Sequence, residues 1–164
     1  MADTAALDTP TDINSNAAKT VAQALNGILA DSFTLYLKTK NFHWHVSGPH
    51  FRDYHLMLDE QAGAILATTD VIAERVRKTG NTTLRSIGDI ARHQTIKDND
   101  AEFVSAEDML KELRDDNLKL VEKLREAKDI ADEAKDYGSS AEIDGWIDGA
   151  EERAWFLFET ARKG

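Results

Sequence analysis

Apolar side chains recur every three or four residues along four long stretches of this 164-residue chain, and no alternating strand pattern competes with them. The only prolines are Pro10 and Pro49, so each stretch can run as one uninterrupted helix. A short turn, a long connection and a second short turn would join these helices, which predicts an all-α four-helix bundle. The expected helices cover about 16–45, 49–78, 105–137 and 139–161.

The segments before and between the helices carry turn and capping signals. Gly80-Asn81 predicts the end of the second helix, and a short extra helix is expected near 83–91, in the connection between the second and third helices. Residues 1–15 are small and polar, which predicts a flexible N-terminal tail and leaves 16–164 as one domain. The expected caps are Ser47 (with Pro49 in the first turn) for the second helix, Ser105 with Asp108 for the third, and Ser139 with Glu142 for the fourth.

The chain is acidic, with 30 Asp and Glu against 20 Lys and Arg and a formal net charge of -10. This charge disfavours tight binding to nucleic-acid phosphates and favours binding of cations. The absence of cysteine excludes thiolate zinc and iron–sulfur sites, so a metal must be held by histidine and carboxylate. No secretory signal and no stretch of ~20 apolar residues is visible, so we expect a cytoplasmic protein that does not enter a membrane.

The predicted second helix carries the residues that indicate chemistry. His55 and Asp59 are four residues apart and share a face, as do Asp70 and Glu74. Eleven residues, about three turns, separate Asp59 from Asp70, so all four side chains line one stripe. Carboxylates among apolar neighbours need a cation, and imidazole with carboxylate suits iron, manganese or zinc. The apolar residues of the stripe are Ala62, Leu66 and Ala73.

The two pairs cannot share one ion within one chain, because Asp59 and Asp70 lie about 16 Å apart along a helix. Either each pair is a half-site, or a second copy completes each pair. An antiparallel contact of this helix with its own copy across a two-fold axis would give two identical sites. His43 lies twelve residues before His55, where it could join the first pair. None of the five histidines follows a Glu by three residues, so the Glu-x-x-His motif of common di-iron bundles is not encoded.

Residues 41–59 resemble the signature of the Dps family, the mini-ferritins that protect bacteria from starvation and oxidants. The stretch reads Asn-Phe-His-Trp-His-Val-Ser-Gly-Pro-His-Phe-Arg-Asp-Tyr-His-Leu-Met-Leu-Asp. The family pattern is His-Trp, a Gly, a Phe and His-x-x-x-Asp, with Asp-x-x-x-Glu eleven residues later. Every ligand type and interval matches, and the helix layout extends the resemblance over about 16–161. The matching residues are His43, Trp44, Gly48, Phe51, His55, Asp59, Asp70 and Glu74.

The resemblance implies a ferritin-like fold and a hollow homo-oligomer, a dodecamer. It implies that ferrous iron is oxidised at two-fold interfaces, preferentially by hydrogen peroxide rather than oxygen, and is stored inside as ferric oxyhydroxide. In that interpretation His43 and His55 come from one subunit and the acidic residues come partly from its neighbour. The residues expected to bind iron and carry the ferroxidase reaction are His43, His55, Asp59, Asp70 and Glu74.

The sequence departs from the DNA-binding members of the family, which resemble one another in a lysine-rich terminal extension. Residues 1–18 contain no Lys or Arg, so DNA binding through the tails is not expected. Twelve copies could still add up weak contacts at low salt. Two alternatives to iron storage remain open: a nucleoid-binding protein that shields DNA, and a helical bundle with only an interaction role.

Two further features have both a structural and a functional interpretation. Trp44, next to His43, either packs against its neighbours or donates electrons near the iron. Acidic residues around the start of the fourth helix either complement its N-terminus or line a three-fold pore that draws cations inward. These acidic residues are Asp136, Glu142, Asp144 and Asp148.

Overall fold

The computed structural model describes residues 4–164, and every regular element in this range is a helix. Four long helices pack into a bundle, and a seven-residue helix lies in the connection between the second and third of them. This confirms the predicted fold class. The helices are α1 (Ser15–His45), α2 (Phe51–Lys78), α3 (Ile87–His93), α4 (Ala106–Glu133) and α5 (Tyr137–Ala161), preceded by one 3-10 turn, Ala5–Leu7.

The bundle core is built from the apolar stripes that the periodicity indicated. The predicted apolar stripe of α4 is buried along its whole length, and that of α1 is buried except at half-buried Tyr36. The stripe residues are Leu110, Leu113, Leu120, Val121, Leu124 and Ala131 in α4, and Val21, Leu25, Ile28, Leu29, Leu35 and Tyr36 in α1. The helices pack chiefly as two antiparallel hairpins, α1 with α2 and α4 with α5, while α2 and α5 contact each other only sparsely. Fully buried side chains from four helices meet at the centre, among them Leu25, Leu35, Leu58, Leu113 and Leu157.

The turn between α1 and α2 differs from its predicted form. Gly48 takes a left-handed backbone with φ of 121°, a conformation that glycine adopts without steric cost. The cap position of α2 is His50, which makes no side-chain cap hydrogen bond, so the prediction of Ser47 as the cap was wrong. The backbone N–H of Phe51 donates instead to the Gly48 carbonyl at 3.1 Å. The turn itself therefore satisfies the first N–H of α2.

The turn between α4 and α5 is also tighter than predicted. Helix α4 ends at Glu133, four residues earlier than expected, and α5 begins at Tyr137. The cap of α5 is Asp136, whose carboxylate accepts from the Ser139 N–H at 3.0 Å, so the predicted cap at Ser139 was wrong. Asp136 is favoured as the cap because Arg75 of α2 donates a hydrogen bond to its carboxylate at 2.6 Å, and this contact compensates the buried charge of Asp136.

The short helix α3 lies a few residues later than the predicted 83–91. Its start is fixed by Ser86, whose hydroxyl accepts from the Asp89 N–H at 3.0 Å. The predicted cap of α4 is confirmed, because Ser105 Oγ accepts from the Asp108 N–H at 3.1 Å. A short polar side chain thus sets the start of each of these helices.

The connection after α3 is fastened to α1 by three polar side chains on one face of that helix. Fully buried Asp31 accepts from the backbone N–H groups of Thr95 at 2.6 Å and Ile96 at 2.9 Å. Further along α1, Lys38 donates to the Lys97 carbonyl at 2.9 Å, and Asn41 donates to the Asn99 carbonyl at 3.1 Å. We call these three residues the α1 clamp (Asp31, Lys38 and Asn41). It gives an irregular segment the backbone partners that it lacks by itself.

Salt bridges compensate the buried charges of the α1 clamp. Lys123 of α4 lies 2.6 Å from Asp31, and Lys38 lies 2.8 Å from Glu112 and 2.7 Å from Asp116. Burial raises the pKa of Asp116, and the hydrogen bond and charge of Lys38 oppose that rise. The clamp therefore joins α1, α4 and the connection into one unit.

Candidate metal centre

Two histidines from neighbouring helices face each other where α1 ends and α2 begins. The rings of His43 and His55 stack with centroids 3.8 Å apart and an interplanar angle of 15°. His43 Nδ1 lies 2.6 Å from the His55 carbonyl oxygen, and His55 Nδ1 lies 2.8 Å from the His43 carbonyl oxygen. A carbonyl can only accept, so both Nδ1 atoms carry the proton. In the neutral rings each Nε2 is then left with a free lone pair, which is the state that binds a metal.

Asp59 is the carboxylate that the chain places beside this histidine pair. Its Oδ1 lies 3.9 Å from His43 Nε2 and 2.7 Å from Lys40 Nζ. The hydrogen bond and then the charge of Lys40 hold the pKa of Asp59 below its usual value. Asp59 is therefore ionised at neutral pH, and its side chain is 54% exposed. An ammonium group occupies one face of the carboxylate that a cation would approach.

A third ring covers the other side of His55. Phe51, in the first turn of α2, stacks on it with centroids 5.0 Å apart at 25°. His55 is thus held between His43 and Phe51, with its Nδ1 fixed by a backbone carbonyl. Such packing limits the orientations that the imidazole can adopt.

The other two predicted ligands lie elsewhere on the same helix. Asp70 and Glu74 are exposed on α2, three to four turns beyond Asp59. The structure therefore brings His43, His55 and Asp59 together and keeps Asp70 and Glu74 apart from them. Within residues 4–164, no three His, Asp or Glu side chains form a group that could hold a metal ion.

The stripe that joins the two groups faces outward. Leu66 is exposed between them, as are the small residues Gly63 and Ala67, whereas Ala62 is buried in the bundle. Nearby on α1, Leu37 and Trp44 are also exposed. The carboxylates of one chain are therefore not buried as the sequence suggested, and they border an exposed surface with apolar side chains.

Comparison with known proteins identifies the family. The Ferritin-like domain family matches residues 22–163. The DNA protection during starvation protein of Brevibacillus brevis is 33% identical over 137 residues, covering 84% of this chain and 91% of that protein. The chain belongs to the Dps proteins of the ferritin-like family.

Other relatives and solved structures agree. The DNA protection during starvation protein of Agrobacterium fabrum is 32% identical and covers 91% of this chain and 92% of that one. A low temperature-induced protein of Nostoc is 36% identical over 84% of this chain and 77% of that one. The crystal structure of a Dps protein from Bacillus brevis superposes with a TM-score of 0.87 at 30% identity, covering 92% of this chain and all of that one.

The acidic pore candidates of this Dps protein differ in their surroundings. Asp136 is buried and bonded to Arg75 and Ser139, so its charge is not available to a passing cation. Asp144 is exposed but pairs with Lys128 at 2.9 Å. Glu142 and Asp148 are exposed, and of the four candidates only these two have the available negative charge that a pore residue requires. The pore itself stays a prediction.

The tryptophans of this Dps protein also differ in exposure. Trp44, adjacent to His43, is 57% exposed. Packing within the chain therefore does not explain why a tryptophan occupies this position. Trp146 packs against the core, whereas Trp155 is 61% exposed on α5. Core packing therefore describes Trp146, whereas Trp155 remains at the surface.

Sequence reasoning missed Lys40 and gave Phe51 no role. Lys40 and Asp59 are equally distant from the turn between Pro49 and His50, so an antiparallel hairpin places them side by side. Counting outward from the turn would have found this pair. Phe51 precedes His55 by four residues, a spacing that puts both rings on one helix face.

Proposed function

We propose that this protein is a ferroxidase and iron-storage protein that binds Fe²⁺ as its substrate and oxidises it at sites shared between subunits. The observation that carries the proposal is the locked pair of His43 and His55 beside ionised Asp59. In their neutral form the two rings offer Nε2 lone pairs beside a carboxylate, in a chain without cysteine. Such a mixed imidazole and carboxylate set suits iron.

The positions of Asp70 and Glu74 support a site completed by a second copy. They are exposed on the same helix as Asp59, along a surface that also exposes Leu66. If α2 meets its own copy antiparallel across a two-fold axis, the acidic pair of one subunit faces His55 and Asp59 of the other, and two identical sites result. We extend this, from the family resemblance, to a hollow dodecamer that works in the cytoplasm.

The redox chemistry belongs to the iron, and the residues set its position and charge. Two Fe²⁺ ions each lose one electron, hydrogen peroxide takes both electrons, its O–O bond breaks, and two protons complete two water molecules. Carboxylates stabilise the higher charge of Fe³⁺. Lys40 and an arriving iron ion compete for the Asp59 carboxylate, because Lys40 already contacts its Oδ1. The ferric product then hydrolyses and is deposited as an oxyhydroxide inside the shell.

Anaerobic titration with Fe²⁺ followed by hydrogen peroxide tests the proposal. The wild-type protein should bind iron and show ferric absorbance after peroxide is added, whereas Asp59→Asn should lose most of the fast phase. Glu60→Gln is a matched control, because Glu60 is the exposed neighbour of Asp59 and also loses one negative charge. Equal activity in the wild type and Asp59→Asn, or equal loss in Glu60→Gln, would refute the assignment.

Nucleoid protection is the second candidate, because relatives carry the name DNA protection during starvation protein. The net charge of -10 and the lack of Lys or Arg in residues 1–18 argue against it. A gel-shift assay at physiological salt separates the two candidates. Clear retardation of DNA by iron-free protein would make DNA binding the primary function.

A further inference from the structure

One outward stripe of α1 is covered along its first half and exposed along its second. Its members follow one another at helical spacing and therefore share a face of the helix. In the first half Asn26 is half-buried and Ala30 is fully buried. In the second half Leu37 is 58% exposed and Trp44 is 57% exposed. A single chain thus leaves two large apolar side chains of this stripe in water.

The short helix α3 is what covers the first half. Just before α3 begins, Asn26 donates to the Thr82 carbonyl at 3.1 Å and accepts from the Thr83 hydroxyl at 2.7 Å. Just after α3 ends, the Thr95 N–H donates to Asp31 at 2.6 Å. Among the described helices, α3 packs against α1 and against no other. It therefore lies over this part of α1.

Helix α3 itself carries an apolar side chain that its own chain does not cover. Ile87, its first residue, is 85% exposed, which is more than any other large apolar side chain of the described residues. The preceding Arg85 is also exposed and forms no ion pair within residues 4–164. One chain thus offers both an apolar projection on α3 and an uncovered apolar surface on α1.

The register of the first hairpin gives the level of α3 along α2. Lys40 contacts Asp59 at 2.7 Å and lies midway between Leu37 and Trp44 in the sequence. Because α1 and α2 are antiparallel, counting back from Lys40 and forward from Asp59 puts Asp70 level with the part of α1 beneath α3. Asp59 is in turn level with the exposed half of the stripe.

The proposed two-fold contact of α2 brings Asp70 of one copy opposite Asp59 of the other. When the outer faces pack about an axis that crosses α2, α1 of one copy also faces α1 of the other. Helix α3 of each copy then arrives over the exposed half of the stripe in the other copy. Ile87 lies at the end of α3 nearest Asn26, and this end comes to Trp44.

We propose that α3 of one subunit docks on Leu37 and Trp44 of a second copy of this chain, with Ile87 against Trp44. The proposal rests on the shared site described under the proposed function. Each two-fold pair contains the contact twice, as an isologous interface requires. The charges agree, because Arg85 approaches a surface on which Asp59 is 54% exposed.

The docked helix supplies a part of the metal centre that one chain lacks. Trp44 follows His43 directly, so a cover over Trp44 also shields the surface beside the histidine pair. Excluding water there strengthens the interaction of the iron with its ligands. The centre is then completed by the second copy twice, through the acidic pair of α2 and through α3.

Cysteine pairs test this contact, because the chain contains no cysteine. The double variant Trp44→Cys with Ile87→Cys, treated with a short bis-maleimide in the absence of iron, should run mostly as a cross-linked dimer on a denaturing gel. Each single variant should stay uncross-linked, because the two copies of either position lie roughly 20 Å or more apart along the helices. Trp155→Cys with Ile87→Cys is a matched control, since Trp155 is equally exposed but lies on α5, and it should give much less dimer.

Ile87→Asp tests the contact with Trp44 intact. The side chain is exposed in the subunit, so the variant should fold, and the dissociation constant of the two-fold pair should rise at least about tenfold as a buried apolar contact is lost. Ile87→Val should restore most of the affinity. Analytical ultracentrifugation of diluted protein measures both.

The outcomes separate this contact from the iron chemistry. A dimer in the double variant, together with weakened association in Ile87→Asp, supports the contact even if the protein oxidises no iron. If Asp59→Asn and Glu74→Gln subunits complement each other but the double variant gives no dimer, the docking of α3 is overturned and the shared site stands. Unchanged association in Ile87→Asp overturns the docking as well.

Discussion

Each end of α2 carries a pair of predicted metal ligands, but the two pairs are held differently. At the N-terminal end, His55 and Asp59 are held by their own chain, through His43, Phe51 and Lys40. At the C-terminal end, Asp70 and Glu74 extend from the helix surface, and the described residues form no ion pair with either. One end is therefore preorganised before any ion or partner arrives, and the other depends on what the surface meets.

Mixing two inactive variants gives the largest effect and tests whether the two ends belong to different subunits. Asp59→Asn and Glu74→Gln should each lower the ferroxidase rate by about 10- to 100-fold, since each removes a charged ligand from every site. When they are co-expressed, half of the two-fold pairs are mixed, and each mixed pair regains one intact site of its two. The rate should therefore recover to about one quarter of the wild-type value.

No recovery in the mixed assemblies would mean that no site combines Asp59 of one subunit with Glu74 of another, and it would overturn the shared site. Co-expression of Asp59→Asn with His43→Ala provides the matched control, because both changes affect the same end. Neither subunit then supplies an intact histidine end, so the rate should stay low in every pairing.

Asp31→Asn tests how much the α1 clamp stabilises the helix that carries His43 and Lys40 against the connection after α3. The change removes a buried charge that faces Lys123 and two backbone N–H groups. We expect a loss of about 3 kcal/mol in the free energy of unfolding. Chemical denaturation measures it, and hydrogen exchange should rise first in residues 94–104. Asp98→Asn, an exposed change in the same connection, should have little effect on either measurement.

Phe51→Ala should loosen the preorganised end without removing a ligand. A stacked aromatic pair contributes about 0.5–1.5 kcal/mol, so Fe²⁺ affinity should fall by roughly 2- to 10-fold. Phe51→Tyr should restore most of the affinity, because it keeps the ring. Phe103→Ala removes an exposed ring elsewhere in the chain and should leave the affinity unchanged. Equal affinity in Phe51→Ala and the wild type would show that the stack has no positioning role.

Lys40→Met should have the smallest effect and the opposite direction. Without the ammonium group, the pKa of Asp59 should return toward its usual value, which carboxylate NMR titration measures. The lowered pKa means that the contact with Lys40 stabilises the fold above the usual pKa of Asp59, and this contribution is lost as pH falls through the lowered value. Fe²⁺ affinity at neutral pH should rise a few-fold, because iron no longer competes with Lys40. Lys78→Met, at the other end of α2, should not change it.

Local patterns predicted the helices well because their causes are local. Apolar periodicity identified the four long helices, and the four-residue spacing of His55 and Asp59 placed them on one face. The caps at Ser47 and Ser139 were wrong for non-local or competing reasons. Gly48 closes the first turn through the backbone, and Arg75 makes a buried carboxylate at position 136 favourable.

The part of the site that sequence could not predict depends on contacts between elements. The tautomers of His43 and His55 are set by carbonyl groups on opposite helices, and Lys40 approaches Asp59 only in the folded hairpin. The α1 clamp joins residues 58 to 65 positions apart, which no local pattern encodes. The spacing of Asp59 and Asp70 indicated that one chain cannot bring both ligand pairs to the same ion. It does not identify what supplies the missing ligands.

The reciprocal hydrogen bonds of the two histidines also bear on the order of folding. They join residues only 12 positions apart, and the contact of Lys40 with Asp59 spans 19. Contacts close in sequence form early, because little chain entropy is lost in closing them. A nascent subunit should therefore complete its histidine end while the later helices are still being synthesised. If the site is shared as proposed, unassembled subunits carry a finished half of the centre that is inert until they find one another.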